Sequence, residues 1–424
     1  MSEETFFIYS IIAALSILNF FRMFIYLISS DVYDIQQIMK GRVRRRPHRP
    51  LISVIIPAYN EEVGVIRTVE SVLASSYKNK EVIIVNDGSK DRTLQILRNF
   101  QRKNRGTISI VNQENAGKAA ALNNGIRNRA KGSLVMVLDA DSILHPDALQ
   151  NMAEHFRDKK ILAAASNVKI IPSKSGLGLS QRIEYLISYR MKRALSTLNM
   201  EYIIGGVGST FRKKQLIAAG GYDTDTMTED IDLTVKLIRI YGNKKYRITY
   251  ASDSIAYTEH VLNLRSLIKQ RFRWKFGRFQ TLLKNKIMFF SASNLYDKRL
   301  TWFQLPYAIF GEIVLLLEPL LVGYIIWITV MYADLTSLGS VYLIVSAFIF
   351  LILIGEDTET FRSKLLISLV LPTAYVLMYI LAIVEFAALI KSIAMGKKLL
   401  RRDKIESSWE HVERSGGEVS IPTL

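Results

Sequence analysis

Two long apolar stretches, at opposite ends of an otherwise ordinary polar chain, constrain this sequence more than any motif does. Phe6 to Ile28 is apolar apart from Asn19 and Arg22, and a second apolar region runs from about Pro306 to Ile390. A helix needs roughly 20 apolar residues to cross a bilayer, so both stretches predict membrane helices. A cleaved leader would begin with basic residues and end at small ones; here the start is Glu3-Glu4 and no small-residue site follows. Within the second region the candidate spans are about 306–332, 340–355 and 365–390, with Pro319 and Pro372 inside the first and third. The basic run Arg42-Val43-Arg44-Arg45-Arg46 lies just after the first span, and Lys397-Lys398-Leu399-Leu400-Arg401-Arg402 just after the last. Basic residues mark the cytoplasmic side, so the N-terminus is expected outside and the following domain inside. Three later crossings would put the basic tail outside. Either one segment does not cross, 340–355 being the shortest, or the tail breaks the rule; the tail is expected inside.

The formal charge of +18 is compatible with nucleic acid, anionic lipid or an anionic small substrate. Its placement beside apolar spans favours the membrane, and no nucleic-acid recognition module accompanies it. The absence of cysteine excludes disulfides, thiolate metal sites and a cysteine nucleophile.

Between the apolar blocks the pattern alternates. Leu51–Ala58, Glu81–Val85, Ile108–Val111 and Leu134–Leu138 read as buried strands, and 61–75, 95–102 and 119–130 as helices. That order predicts an α/β fold with a doubly wound, mostly parallel sheet. Ligands of such sheets bind beyond the carboxyl ends of the strands. Those ends carry Tyr59-Asn60-Glu61, Asn86-Asp87-Gly88-Ser89 and Asp139-Ala140-Asp141.

Each motif has a bland alternative. Asp139 and Asp141 can hold Mg²⁺ or Mn²⁺ through hard oxygen ligands, or Asp141 can cap a helix starting near His145-Pro146. Asp87 is either ordinary turn chemistry or a contact to a nucleotide. Thr228-Glu229-Asp230 is either an N-cap with acids in the first helical turn or a catalytic carboxylate at a helix start. Gln270-Arg271-Phe272-Arg273-Trp274 lies in an amphipathic basic segment, 262–283, which reads as a membrane-surface helix. There Gln270 and Arg273 can also reach a diphosphate, and Trp274 can offer a flat face to a sugar.

Taken in order, a strand-end Asp, a DxD, an acidic triplet and QxxRW within a membrane-flanked α/β domain resemble the processive family-2 glycosyltransferases. These include cellulose, chitin and hyaluronan synthases and bacterial poly-N-acetylglucosamine synthases. The resemblance covers about Leu51 to Gly277 and implies a GT-A-like nucleotide-sugar domain flanked by transmembrane and amphipathic interfacial helices. It implies that Tyr59, Glu61 and Asp87 line a uridine pocket and that Lys118, in Asn115-Ala116-Gly117-Lys118-Ala119, lies near the diphosphate. Asp139 and Asp141 correspond to nucleotide and metal carboxylates, both as metal ligands and Asp141 the firmer one. Asp230 matches the general base, with Glu229 beside it. Gly206, Gly208 and Ser209 belong to a small-residue loop at the acceptor end, and Gln270, Arg273 and Trp274 to the product-binding motif.

The resemblance divides the chain into an N-terminal transmembrane helix (1–30), a basic linker (31–50), a cytoplasmic transferase domain (51–255), amphipathic interfacial helices (256–305), C-terminal transmembrane helices (306–392) and a basic tail (393–424). It implies a multi-pass enzyme of the plasma membrane that is metal-dependent. Such an enzyme polymerises a UDP-sugar, UDP-N-acetylglucosamine before UDP-glucose, onto a growing β-linked polysaccharide and translocates it. A small accessory membrane protein is a partner by analogy, and nucleic acid is not. The competing readings are a lipid glycosyltransferase with the same donor site and a catalytically silent export subunit. The latter would be expected to have lost a carboxylate, and Asp139, Asp141 and Asp230 are all present.

Overall fold

The computed structural model describes residues 3–41, 47–104, 106–173, 175–332, 335–356 and 359–395. The basic run at 42–46 and the tail beyond residue 395 lie outside the described residues. In chain order the elements are α1 (Glu3–Gly41), β1 (Ile52–Ala58), α2 (Val65–Leu73), β2 (Lys80–Asp87), α3 (Thr93–Lys103), β3 (Ile108–Gln113), α4 (Lys118–Asn128), β4 (Leu134–Val137), β5 (Ile143–Leu144) and α5 (Ala148–His155). There follow β6 (Ile161–Ile170), α6 (Gly176–Thr197), β7 (Thr210–Arg212), α7 (Lys213–Ala218), α8 (Glu229–Tyr241), β8 (Arg247–Thr258), α9 (Leu264–Lys284), α10 (Leu305–Tyr332), α11 (Leu335–Ile354) and α12 (Phe361–Ala394).

The described residues form one sheet in the order β3-β2-β1-β4-β7-β6-β8-β5. Strands β3, β2, β1 and β4 pair in parallel, as do β6 and β8. Strands β7 and β5 run against their neighbours, so the sheet is mixed, with the other six strands sharing one direction as expected. Alternation along β1 explains why both faces are covered. Ile52, Val54 and Ile56 pack with Val65 and Val69 of α2 and Met152 of α5, whereas Ile55 packs on the other face with Leu122 of α4 and Leu233 of α8. Each such fully buried aliphatic side chain contributes about 1.5–3 kcal/mol. In register, Ala58 lies opposite Asn86 and Asn86 opposite Asn112, which brings three strand ends to one edge.

Helix α1 runs on to Gly41, past the point where the sequence suggests a linker. Its last turns are drawn onto the domain: Tyr33 is buried and donates to the Tyr250 carbonyl at 2.6 Å, and Asp34 accepts from Arg190 and Arg193 of α6 at 2.7 and 3.0 Å. The α11–α12 connection is tied to the same helix, because Glu356 pairs with Arg193 at 2.8 Å and Glu359 with Arg182 at 2.5 Å. Among the described residues, one helical segment, Arg299–Leu317, is long and apolar enough to cross a membrane by length and composition. Large apolar side chains also stand exposed along α1, α11 and α12, including Phe20, Phe24, Leu343, Phe350 and Leu366.

Helix α9 departs from the surface helix expected at 262–283. Its face bearing Leu267, Phe272 and Phe276 is buried against α12 side chains, among them Leu381, Val384 and Ala388.

Candidate active site

The site is assembled from the residue that ends β2. Asp87 is fully buried, and its carboxylate accepts from Gln113 Nε2 at 2.7 Å and from the backbone N–H groups of Ala116 and Gly117 at 2.9 Å each. These bonds shape the loop after β3, which ends at Gly117 in the left-handed region (φ 88°) and starts α4 with Lys118. Asp87 therefore positions the lysine loop at this edge of the sheet.

Lys118 Nζ lies 2.8 Å from Asp139 Oδ1 and 3.2 Å from Glu229 Oε1, joining the DxD turn after β4 to the start of α8. Burial by itself would lower the lysine's pKa, but the carboxylates of Asp139, Glu229 and Asp230 outweigh it and hold the ammonium charged. Burial, and then the Glu229 charge, push the neighbouring Asp230 carboxyl up to about 6 against the pull of Lys118. A carboxylate raised this far is suited to general-base work near neutrality.

The glycine loop closes the other side. Gly208 N–H donates to the Val137 carbonyl and Val137 N–H to the Ser209 carbonyl, both at 2.8 Å, so the loop continues the β4–β7 pairing. Gly208 needs its left-handed φ of 69°, and a Cβ there would meet Ser166 Oγ at 2.5 Å. A Cβ on Gly206 would come 3.3 Å from Lys118 Nζ, 3.5 Å from Asp230 Oδ2 and 3.8 Å from Asp139 Oδ1. Gly206 thus leaves open the point on which these groups converge. Buried Ser209 contributes its hydroxyl to the Gly206 carbonyl at 3.3 Å.

Asp141 faces an adjoining cavity of about 420 Å³, whose lining includes Glu61, Glu62, Arg67, Lys90, Asp91 and Glu259. The Glu61 N–H donates to Thr93 Oγ1 at 2.8 Å, and the Asn60 N–H to Ser89 Oγ at 3.0 Å, locking the β1 and β2 end loops together. Five carboxylates line this cavity against two cations. A nucleoside diphosphate would meet net repulsion there unless a divalent cation came with it. The carboxylate oxygen donors suit Mg²⁺ or Mn²⁺. A tighter acidic group, Asp223, Asp225 and Asp232, lies elsewhere and is occupied by Lys284 Nζ at 2.6, 3.1 and 3.2 Å. Tyr59 is half-buried directly after β1 and lies outside the cavity lining.

The acidic triplet and QxxRW helix are in direct contact. Thr228 stands at the N-cap position of α8, yet its side chain makes no capping bond. Instead it is buried beneath Gly277, where an added Cβ would meet Thr228 Oγ1 at 2.2 Å. Gln280 Oε1 also accepts from the Met227 N–H at 3.1 Å. Gln270, Arg273 and Trp274 occupy the preceding turns of α9 and are each half-buried. The structure does not bring Gln270 or Arg273 into the Lys118–Asp139–Glu229 contacts. Arg271, between them, is buried in a two-point pair with Glu184 at 2.6 and 2.7 Å and stacks 4.5 Å over the Trp274 ring. Asp141 caps no helix, since Asp147 holds the N-cap position of α5.

Sequence reasoning missed the Arg67–Glu259 pair (2.6 Å), which spans α2 and the end of β8. Glu259 lies in a stretch with no recognised signal. Glu62 and Asp91 were equally legible only once the two end loops had been brought together.

This combination of an α/β sheet with a DxD turn and a helix-start acid narrows the class, and comparison with known proteins points the same way. Residues 53–217 match the model of glycosyl transferase family 2. The chain is 38% identical over 244 residues to the poly-β-1,6-N-acetyl-D-glucosamine synthase of Staphylococcus aureus, covering 57% of each chain. It is also 38% identical over 236 residues to the Staphylococcus epidermidis enzyme of that name, covering 55% of this chain and 56% of the relative. The chain thus spans a little over half the length of these curated relatives. A solved mannosyltransferase of Pyrobaculum calidifontis, in complex with GDP-mannose and Mn²⁺, shares the fold with a TM-score of 0.56 and 20% identity, covering 92% of this chain and 98% of its own.

Proposed function

We propose that this chain is a membrane-anchored, inverting glycosyltransferase that transfers N-acetylglucosamine from UDP-N-acetylglucosamine to a growing β-linked polysaccharide. The observation that carries the reading is the convergence of Lys118, Asp139, Glu229 and Asp230 on the space kept open by Gly206. The names of the staphylococcal relatives support N-acetylglucosamine as the transferred sugar; UDP-glucose is the alternative donor that the same cavity chemistry would accept.

In this mechanism Asp230 takes the proton of the acceptor hydroxyl as that oxygen attacks C1 of the sugar. The C1–oxygen bond to the diphosphate breaks, and the bonding pair leaves with the diphosphate. One displacement inverts the centre, so an α-linked donor gives a β-linked product. Lys118 lies beside the leaving group; Arg273 and Gln270, held on α9 outside the Lys118 contacts, would have to swing towards the diphosphate to donate to it. Asp141, with Asp139 at its side, would hold Mg²⁺ or Mn²⁺, which would supply charge neutralisation to the diphosphate. Glu229 holds Lys118 in place and raises the basicity of Asp230. Trp274, whose ring is held by Arg271 on α9, would carry the acceptor end, and the small-residue loop of Gly206, Gly208 and Ser209 would leave room for it.

The membrane reading has the catalytic domain on the cytoplasmic face, with α1 and the α10–α11 hairpin crossing. Support for α12 lying along the domain instead of crossing comes from both of its ends. Ser363, near its start, accepts from Arg182 at 2.5 Å, and Glu385, Ala388 and Met395, near its finish, lie against α9 and Met227. On this reading the tail returns to the catalytic side, and α12, not 340–355, is the segment that fails to cross. Polymer growth would be coupled to export between these helices, with an accessory membrane protein as a further partner.

The assignment of the base is tested with Asp230→Asn in detergent, given labelled UDP-N-acetylglucosamine. Transfer should fall about 10²- to 10⁴-fold while donor affinity stays within a few-fold of the unaltered chain. Transfer at the normal rate would remove Asp230 from the mechanism.

A further inference from the structure

The segment between α9 and α10 carries large apolar side chains that stand exposed among the described residues. Ile287, Phe290, Trp302 and Phe303 are 74, 55, 47 and 69% exposed. They are nevertheless held in a fixed arrangement. The Phe290 and Trp302 rings meet edge to face at 5.4 Å, the Phe290 N–H donates to the Thr301 carbonyl at 3.0 Å, and Trp302 Nε1 donates to the Ser291 carbonyl at 3.2 Å. Built turns of this kind hold large aromatics outward at little further entropic cost.

Exposed lysines surround them. Lys286 and Lys298 lie in the same segment, and Lys244 and Lys245 are brought alongside because the Asn243 and Lys244 N–H groups donate to the Leu295 carbonyl at 3.2 and 3.1 Å. The acid of the segment, Asp297, is paired with Arg299 at 2.6 Å, so the lysine charge is left uncompensated within it. The level of this surface is set by α1: Tyr26 donates to Gln304 Oε1 at 3.1 Å, and Arg22 stacks 4.3 Å over Tyr307. Trp302 and Phe303 therefore lie where the apolar stretch of α1 ends and in the first turns of the Arg299–Leu317 span that runs into α10.

We infer that Ile287, Phe290, Trp302 and Phe303, rimmed by Lys244, Lys245, Lys286 and Lys298, form a docking surface for the anionic headgroup layer of the bilayer. The inference rests on the membrane reading above. It assigns the lipid class and the place of contact: rings at headgroup level, with ammonium groups on the lipid phosphates. The surface also reaches the catalytic helix, because Tyr296 of this segment donates to the Arg239 carbonyl in the last turn of α8, the helix that begins with Glu229-Asp230. Lipid contact thus seats the far end of the helix that carries the proposed base.

The absence of cysteine allows a direct test. Phe303→Cys, labelled with bimane in the full chain, is placed in phosphatidylcholine nanodiscs containing either brominated phosphatidylcholine or brominated phosphatidylglycerol at equal mole fraction. Strong quenching is expected, greater with brominated phosphatidylglycerol, and Lys244→Gln/Lys286→Gln/Lys298→Gln should remove the difference while leaving the quenching. A label at Lys103→Cys on α3 should be quenched by neither lipid. Quenching at 303 no greater than at 103 would overturn the docking surface, and equal quenching by the two lipids would overturn its preference for anionic headgroups. Phe290→Cys repeats the test at a second ring. The readout needs no catalysis, so failure here is separable from failure of the proposed chemistry.

Discussion

The site's chemistry depends on a few atoms held against their own solvation. Asp230 carries a carboxyl lifted to about 6 by burial and by the adjacent Glu229, while Lys118 keeps it from rising further. The base must be ionised to accept a proton, so turnover at saturating donor should be full above this value and fall as pH drops through about 6. A pH–rate profile that stays flat down to about 4, the ordinary carboxylate range, would contradict the assignment. Much of this chemistry was legible in sequence because it sits in short motifs: Asp139, Asp141, Glu229 and Asp230 each follow a strand or open a helix. Asp87 was legible as a strand-end acid, but its three hydrogen-bond donors were not. They come from a loop whose path depends on the β2–β3 register.

At the scale of elements, the sheet's first half was readable and its second half was not. Strands β1, β2 and β4 carry Val/Ile/Leu/Met-rich runs that are buried, and announce themselves; only Lys80 and Glu81 at the start of β2 are partly exposed. Strand β6 reads Ile-Leu-Ala-Ala-Ala-Ser-Asn-Val-Lys-Ile; its alanines favour helix, and burial between β7 and β8 overrides that preference. Strand β7 is too short to show a period. Helix α9 misled for another reason. Its basic and apolar residues alternate as in a surface helix, yet Arg271 and Lys275 pair with Glu184 and Glu385, and α12 covers the apolar side. Contact between α9 and α8 is expected to be exacting. Gly277→Ala would drive a methyl into Thr228 and should destabilise the fold by about 1–3 kcal/mol while lowering turnover. Adding Thr228→Ala should restore part of both losses, measured by thermal unfolding and by transfer rate. A silent Gly277→Ala would mean that the two helices are not coupled.

Across the whole molecule, the parity problem posed by three C-terminal apolar segments comes from hydropathy being blind to what a helix packs on. Helix α12 has 34 residues, about 51 Å of helix, and both ends meet the catalytic domain. The account therefore expects the tail on the domain's side. A single cysteine at Ser415, placed in sealed inside-out vesicles, should react with a membrane-impermeant maleimide, and protection until detergent is added would restore α12 as a crossing. The central claim, that this membrane-anchored domain builds a β-linked N-acetylglucosamine polymer, is tested most directly by product analysis. The purified chain in nanodiscs is given labelled UDP-N-acetylglucosamine or UDP-glucose with Mg²⁺ or Mn²⁺, and the products are resolved by size and by linkage-specific hydrolases. The account predicts long chains from UDP-N-acetylglucosamine that β-specific hexosaminidases degrade. A single sugar on an extracted lipid, or polymer from UDP-glucose alone, would contradict it.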